Sequence, residues 1–228
     1  MKQKRVPEIM DSPDISPESH HRALDGLEHI NSWSNSAGIV WSQIEPLLES
    51  GRVVRILDVA TGGGDVPIAL WKKAGHAGAK LEIAGCDKSP VAIEHAKRNA
   101  EKQGAAIHWF TWDLFTDPVP QGYDIVVSSL FMHHLDSSQA VAFLKKLAGG
   151  AGQRLIVNDL RRSTTGWVLA VSAACVLGSR VVCADGPRSV RAAYTMAESA
   201  ALAAQAGLTD AKIEPRFPFR FVLSWSRK

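Results

Sequence analysis

Three carboxylates stand out because each follows a short β-prone run. The first is Asp58, in Ile56-Leu57-Asp58-Val59-Ala60-Thr61-Gly62-Gly63-Gly64-Asp65, where an apolar strand runs straight into glycines. Without Cβ atoms, such a loop lets a ligand approach the backbone closely, and the carboxyl ends of parallel strands are where α/β folds bind ligands. A dinucleotide loop wants G-x-G-x-x-G/A. Counted from Gly62 its third position is Pro67, and counted from Ala60 it is Asp65, so a dinucleotide is disfavoured. The Gly-Lys-Ser/Thr of a P-loop is absent as well. A carboxylate just ahead of the loop suits a positively charged ligand better than a pyrophosphate. Asp87 stands 23 residues after Gly64, at the end of a second run, where a carboxylate can accept both ribose hydroxyls. Asp113 follows a third run, beside Trp109 and Trp112, and can accept from the exocyclic amine of a purine.

A second group of reactive side chains follows the next two runs. His133 and His134 lie in Ser128-Ser129-Leu130-Phe131-Met132-His133-His134-Leu135. Imidazole titrates near neutral pH and can take a phenol proton; the alternative is that one or both histidines cap or orient the loop. The Asn/Asp-Pro-Pro-aromatic run common in enzymes acting on base amines is missing here. Further on, Asp159 can orient an acceptor or a histidine. Arg161 and Arg162 can bind an acidic group on a substrate, or be solvated, or pair with Asp185.

Strands and helices must alternate to place these residues on one rim. Val53 to Leu57, Leu81 to Gly85, Ile107 to Phe110, Tyr123 to Ser128 and Arg154 to Val157 read as five strands, with continuous apolar centres that suit parallel strands covered on both faces. Helices between them are marked by Pro67 in a first turn, by Ser89-Pro90 as cap and first residue with Gly104 closing, and by Ser137 to Leu147. Thr195-Met196-Ala197-Glu198 is a capping box before an Ala-rich helix that ends at Gly207. Lys212 to Glu214 and Phe219 to Trp225 read as a terminal antiparallel pair. This βαβα order implies a doubly wound α/β fold with helices on both faces of the sheet.

Two segments depart from the pattern. Residues 1–50 begin with Pro7, Pro13 and Pro17, continue with Leu24, Leu27 and Ile30 at helical spacing, and end in a helix from Ile39 to Leu48 that Gly51 stops. Residues 160–192 contain the apolar run Trp167 to Leu177, too short for a membrane span; it reads as a buried helix, with a membrane-surface contact as the alternative.

Composition bounds the rest. The chain has 228 residues, 46% apolar and 21% charged, which fits one globular unit and excludes disorder or a coiled coil for the whole. The N-terminus lacks the apolar stretch of a secretory signal. Cys86, Cys175 and Cys183 form no C-x-x-C and no even framework, which favours a reducing, cytoplasmic setting. Residues 1–150 hold 15 Lys/Arg against 18 Asp/Glu, whereas 151–228 hold 11 against 5, so the tail can meet something anionic, although a mildly basic surface is the commoner explanation.

The glycine segment resembles the class I S-adenosylmethionine (SAM)-dependent methyltransferases. Their D/E-x-G-x-G-x-G motif is matched by Asp58, Ala60, Gly62 and Gly64, with Ala60 in place of the first glycine as in the quinone-biosynthesis branch. The match covers about residues 50–160, and Asn158 to Tyr194 looks like a polyketide or phenolic-lipid subgroup. The resemblance implies a Rossmann-like, mostly parallel seven-stranded sheet with a terminal antiparallel strand. It also implies a helical N-terminal lid over residues 1–50 on a methyltransferase domain over 51–228, with 160–192 as a lid-like insertion. SAM is the implied cofactor. Asp58 lies near its methionine amino group, Ala60, Gly62 and Gly64 line the methionine and ribose, Asp87 holds the ribose, and Asp113 with Leu114 contacts the adenine; Lys88 and Ser129 complete the set. His134, with His133 bracing the turn, is the expected base, and Asp159, Arg161 and Arg162 the expected acceptor contacts; no metal is expected. The expected acceptor is the hydroxyl of a small, apolar phenolic or polyketide-like molecule. RNA methylation and a non-catalytic SAM-binding module are the rival readings.

Overall fold

The computed structural model describes residues 1–6, 35–177 and 180–228, and of residues 172–177 and 180–184 only the backbone. The proline arm and the expected helix through Leu24, Leu27 and Ile30 lie outside the described residues.

Seven strands form one sheet among the described residues: β1 Val53–Val59, β2 Lys80–Asp87, β3 Ile107–Thr111, β4 Tyr123–Ser129, β5 Ala151–Leu160, β6 Lys212–Arg216 and β7 Arg220–Ser226. Their order is β3-β2-β1-β4-β5-β7-β6. Strands β1 to β5 pair in parallel, and β7 runs antiparallel to both β5 and β6. This is the doubly wound sheet with a terminal antiparallel strand that the sequence implies. The chain winds outward through β2 and β3, then returns to lay β4 against the other side of β1. The crevice at the carboxyl ends therefore opens beside β1, at the switch in winding direction.

Helices cover both faces: α1 Ser36–Ile44, α2 Asp65–His76, α3 Pro90–Lys102, α4 Ser137–Gly150, α5 Thr164–Leu177, α6 Arg180–Ala192 and α7 Met196–Gln205. One core packs Leu57, Val126, Leu155 and Phe221 of the sheet against Phe143, Leu144 and Leu147 of α4 and Leu202 of α7. The other packs Ile56, Ile125, Ile156 and Val222 against Val40 and Ile44 of α1 and Val66 and Leu70 of α2. Residues alternate between the two cores along each strand, as the pleat requires. The segment just before β1 thus contributes wholly buried side chains to the second core.

Local chemistry sets the helix starts. Ser89 Oγ accepts from the Ala92 N–H at 3.3 Å. Asp136 and Gln139 form a reciprocal capping box at α4, as Thr195 and Glu198 do at α7.

Three expectations need correcting. Helix α1 stops at Ile44 rather than at Leu48, because Pro46 draws the next residues into a 3-10 turn, Glu45–Leu47. Strand β5 starts at Ala151, directly after α4, and runs three residues past Val157. The apolar segment after residue 160 is not buried all round: Val168 and Leu169 on α5 are 51% and 53% exposed.

Thr195→Ala removes the α7 cap, which shares its Glu198 partner with Arg162. It should cost about 1 kcal/mol of stability in urea unfolding, with an unchanged m-value.

Candidate functional site

Asp58 sits near the end of the central strand and is only 2% exposed. Thr61 donates its hydroxyl hydrogen to Asp58 Oδ2 at 2.6 Å. The other carboxylate oxygen, Oδ1, is buried with no hydrogen-bond partner. Burial pushes the Asp58 carboxyl up to about 7; the Thr61 hydrogen bond opposes this, and the carboxylates of Asp65 and Asp87 reinforce it. A sealed acceptor with a suppressed negative charge is suited to a cationic hydrogen-bond donor, which would satisfy the oxygen and favour the ionised form.

The loop after Asp58 is held in left-handed conformations at Ala60, Gly62 and Gly64, with φ of 57°, 54° and 78°. Ala60 adopts an angle that costs an L-residue roughly 1–2 kcal/mol, so its methyl is a source of strain as well as bulk. Asp87 fixes the loop from the neighbouring strand. Its carboxylate accepts from the Gly62 N–H at 3.0 Å and from the Ser89 N–H at 2.9 Å. At Gly64 a Cβ would lie 2.6 Å from the Trp109 ring and 2.9 Å from Ala96 Cβ, and at Gly85 one would lie 2.3 Å from the same ring. The crowding at Gly64 therefore already comes from within the protein.

Asp87 ends β2 and Lys88, exposed, follows it. Asp113 follows β3; its carboxylate accepts from the Phe115 N–H at 2.7 Å, and Leu114 beside it is buried. Ser129 closes β4, in register with Asn158 on β5. Strand order thus lines up Asp113, Asp87, Asp58, Ser129 and Asp159 along one edge.

Past β4, a 3-10 turn, Met132–His134, presents the two histidines. His133 is buried. Its Nδ1 is 2.6 Å from Asp159 Oδ1, and its backbone N–H donates to Asp159 Oδ2 at 3.0 Å. Asp159 also accepts from the Leu160 N–H at 2.6 Å. Burial alone would raise the Asp159 carboxyl, but His133, this hydrogen bonding and His134 hold it below the usual carboxylate value. The His134 ring, partly exposed, stands 4.3 Å from His133 and 6.1 Å from Phe131.

The two arginines expected at an acceptor part company. Arg162 is turned into the protein, where it bonds Glu198 at 2.5 Å and the Ala193 carbonyl at 3.0 Å; its partner is not Asp185, which pairs with Arg188. Arg161 stays on the rim, its N–H donating to the Phe219 carbonyl at 2.8 Å.

Sequence reasoning missed three residues of this edge. Asn158 is fully buried, and its Oδ1 has no hydrogen-bond partner. Arg220 is buried on β7 and donates to Ser36 Oγ at 2.6 Å; strand parity, which puts it on the same face as Val222, is the signal that locates it. Tyr194 donates its hydroxyl to the Leu135 carbonyl at 2.8 Å, bracing the residue after His134; no local pattern announces this contact.

Residues 56–149, from β1 through α4, match the family model described as a methyltransferase domain. The chain carries a methyltransferase domain. Its sequence is 35% identical to a release factor glutamine methyltransferase of Geobacter sulfurreducens over 85 residues, 37% of this chain and 28% of that protein. It is 33% identical to a demethylmenaquinone methyltransferase of Thermus thermophilus over 105 residues, 45% of this chain and 46% of that one. The alignments thus span less than half the length of these relatives. A protein from Nostoc punctiforme assigned as an O-methyltransferase shares the fold, with a TM-score of 0.69 at 23% identity over 99% of this chain and 64% of that one. The methyltransferase domain holds the glycine loop and both histidines; Asp159, Arg220 and Tyr194 come from the chain beyond it.

The raised carboxyl of Asp58 has a measurable consequence. The stability it contributes is fully present below the unfolded value near 4 and is lost as pH rises through about 7. Unfolding without ligand should therefore become easier between about pH 4 and 7, by up to about 4 kcal/mol, and level off above that; Asp58→Asn should flatten that slope.

Proposed function

We propose that this chain is a cytoplasmic enzyme that transfers a methyl group from SAM to a hydroxyl of a small hydrophobic, phenolic or polyketide-like acceptor. The observation that carries the reading is the buried, unpartnered Oδ1 of Asp58 beside a left-handed glycine loop. That pair suits an ammonium group next to a close backbone approach.

In this reading Asp58 takes the amino group of the methionine moiety, while Ala60, Gly62 and Gly64 bring the backbone against it. Asp87 reaches the ribose, with Lys88 at its rim, and Asp113 and Leu114 flank the adenine. Ser129 meets the ligand from β4. When bound, SAM supplies a methyl already activated by its sulfonium, so the protein's task is positioning.

A hydroxyl acceptor must also lose a proton. His134 takes it, since His134 is partly exposed whereas His133 is buried and held on two sides by Asp159. His133 and Asp159 then act as the support that fixes the His134 ring, and Arg161 meets the acceptor from the rim. The residues ahead of α1 and residues 160–192 serve as the lid, whereas α1 belongs to the second core. The Nostoc neighbour and the menaquinone-type relative support an acceptor of this kind, and the missing Asn/Asp-Pro-Pro-aromatic run speaks against a base amine.

Calorimetry tests the cofactor. S-adenosylhomocysteine should bind and NAD should not, and Asp87→Ala should weaken that binding by about 1.5–3 kcal/mol; tight NAD binding with no response to S-adenosylhomocysteine defeats the reading. For the proton, His134→Ala should lower kcat about 10²–10⁴-fold with little change in cofactor affinity, once an acceptor is isolated by label transfer from SAM in a metabolite extract.

A further inference from the structure

The first six residues are bound to the far end of α6. Gln3 Nε2 donates to the Ala192 carbonyl at 2.7 Å, and the Lys4 N–H donates to the Arg191 carbonyl at 3.1 Å. These bonds bring Lys4 and Arg5 beside Arg188 and Arg191, more than 180 residues away in sequence. The result is a cleft of about 310 Å³ lined, among the described residues, by Lys4, Val6, Arg188 and Arg191. Three of these four carry positive charge, and none is a carboxylate.

Arg188 is paired with Asp185 at 3.1 Å. Arg191 Nε is buried without a hydrogen-bond partner; Nε and Nη2 of Arg5, which does not line the cleft, are unpartnered as well. Like charges gathered by backbone bonds repel one another, and buried guanidinium N–H groups without acceptors add to the cost. An oxyanion relieves both, because the planar guanidinium fork matches carboxylate and phosphate oxygens.

Arg5, between the lining residues Lys4 and Val6, contacts a residue that braces the candidate site. The Arg5 guanidinium lies 4.8 Å from the centre of the Tyr194 ring, and Tyr194 holds the Leu135 carbonyl next to His134. We propose that this cleft binds an oxyanion, a carboxylate or phosphate group, borne by the methyl acceptor. The acceptor part of this inference rests on the methyltransferase reading; the anion site itself does not. It moves the anionic contact expected of Arg162 to Arg188 and Arg191, because the Arg162 side chain is buried against Glu198 whereas that of Arg188, although paired with Asp185, stays 38% exposed.

The test is calorimetry on the full chain at low salt, with inorganic phosphate and with benzoate as separate probes and S-adenosylhomocysteine titrated in parallel. At least one anion should bind, and more weakly as salt is added. The double variant Arg188→Gln/Arg191→Gln should weaken it at least tenfold while leaving S-adenosylhomocysteine affinity within twofold. Should that variant fail to fold, the exposed Lys4→Gln should weaken the same anion about threefold. Which probe binds separates a phosphate-bearing from a carboxylate-bearing acceptor. Absence of binding by either anion, or anion binding that these variants leave unchanged, overturns the inference. S-adenosylhomocysteine binding without anion binding would remove the anion site and leave the methyltransferase reading standing; anion binding without S-adenosylhomocysteine binding would do the reverse.

Discussion

A carboxylate sealed at the end of the central strand constrains everything around it. Asp58 cannot leave its place, because β1 is hydrogen-bonded on both sides, to β2 and to β4. It is not solvated, and it has one oxygen satisfied by Thr61 and one left over. A structure tolerates such a group where surrounding interactions over-determine it. Here they include the Asp87 bonds that tie the glycine loop to β2, and the Ser128 hydroxyl donated to the Val59 carbonyl at 2.9 Å, which ties β1 to β4. The destabilised carboxyl, the strained Ala60 and the tightly held loop make one local arrangement, rigid before any ligand arrives.

The other half of the edge is organised around a second buried carboxylate with the opposite electrostatics. Asp159 is fully satisfied by His133 and by two backbone N–H groups, and its negative charge is favoured. Two aspartates on the same sheet edge are thus poised differently by their surroundings alone. One has an unpartnered oxygen and a disfavoured charge, and the other already holds its partner. Tyr194 and the bound N-terminus extend the rigid part outward, so the histidine turn is braced from the sheet on one side and from α6 and the first residues on the other.

How much of this was legible depends on sequence distance. The five parallel strands, the terminal pair, Ser89 as a cap and the Thr195–Glu198 box are set by interactions within a few residues, and composition reveals them. The succession of Asp58, Asp87 and Asp113 is legible too, because parallel strands repeat the same edge. Pro46 ends α1 early, a local signal outranked in the sequence reading by the glycine five residues later. The contacts from Arg162 to Glu198, from Tyr194 to Leu135 and from Gln3 to Ala192 span 36, 59 and 189 residues. Only the tertiary fold chooses among the many partners a flexible arginine or glutamine can reach. The exposed side of α5 was hidden for another reason: a helix apolar on every side carries no periodicity to say which side faces the protein.

The Trp109 ring fills the space that side chains at both Gly64 and Gly85 would need. Three positions on separate segments, the glycine loop, β2 and β3, therefore share one fixed volume. Because protein interiors are close-packed, these positions can change only by exchanging size. A smaller residue at 109 would make room for a methyl at 85, whereas Gly64, in its left-handed conformation, gains nothing from the extra space. Diversification of the loop in sequences of this kind is thus coupled to an aromatic residue two strands away from β1, and the bulk at position 109 limits which loops the sheet can carry.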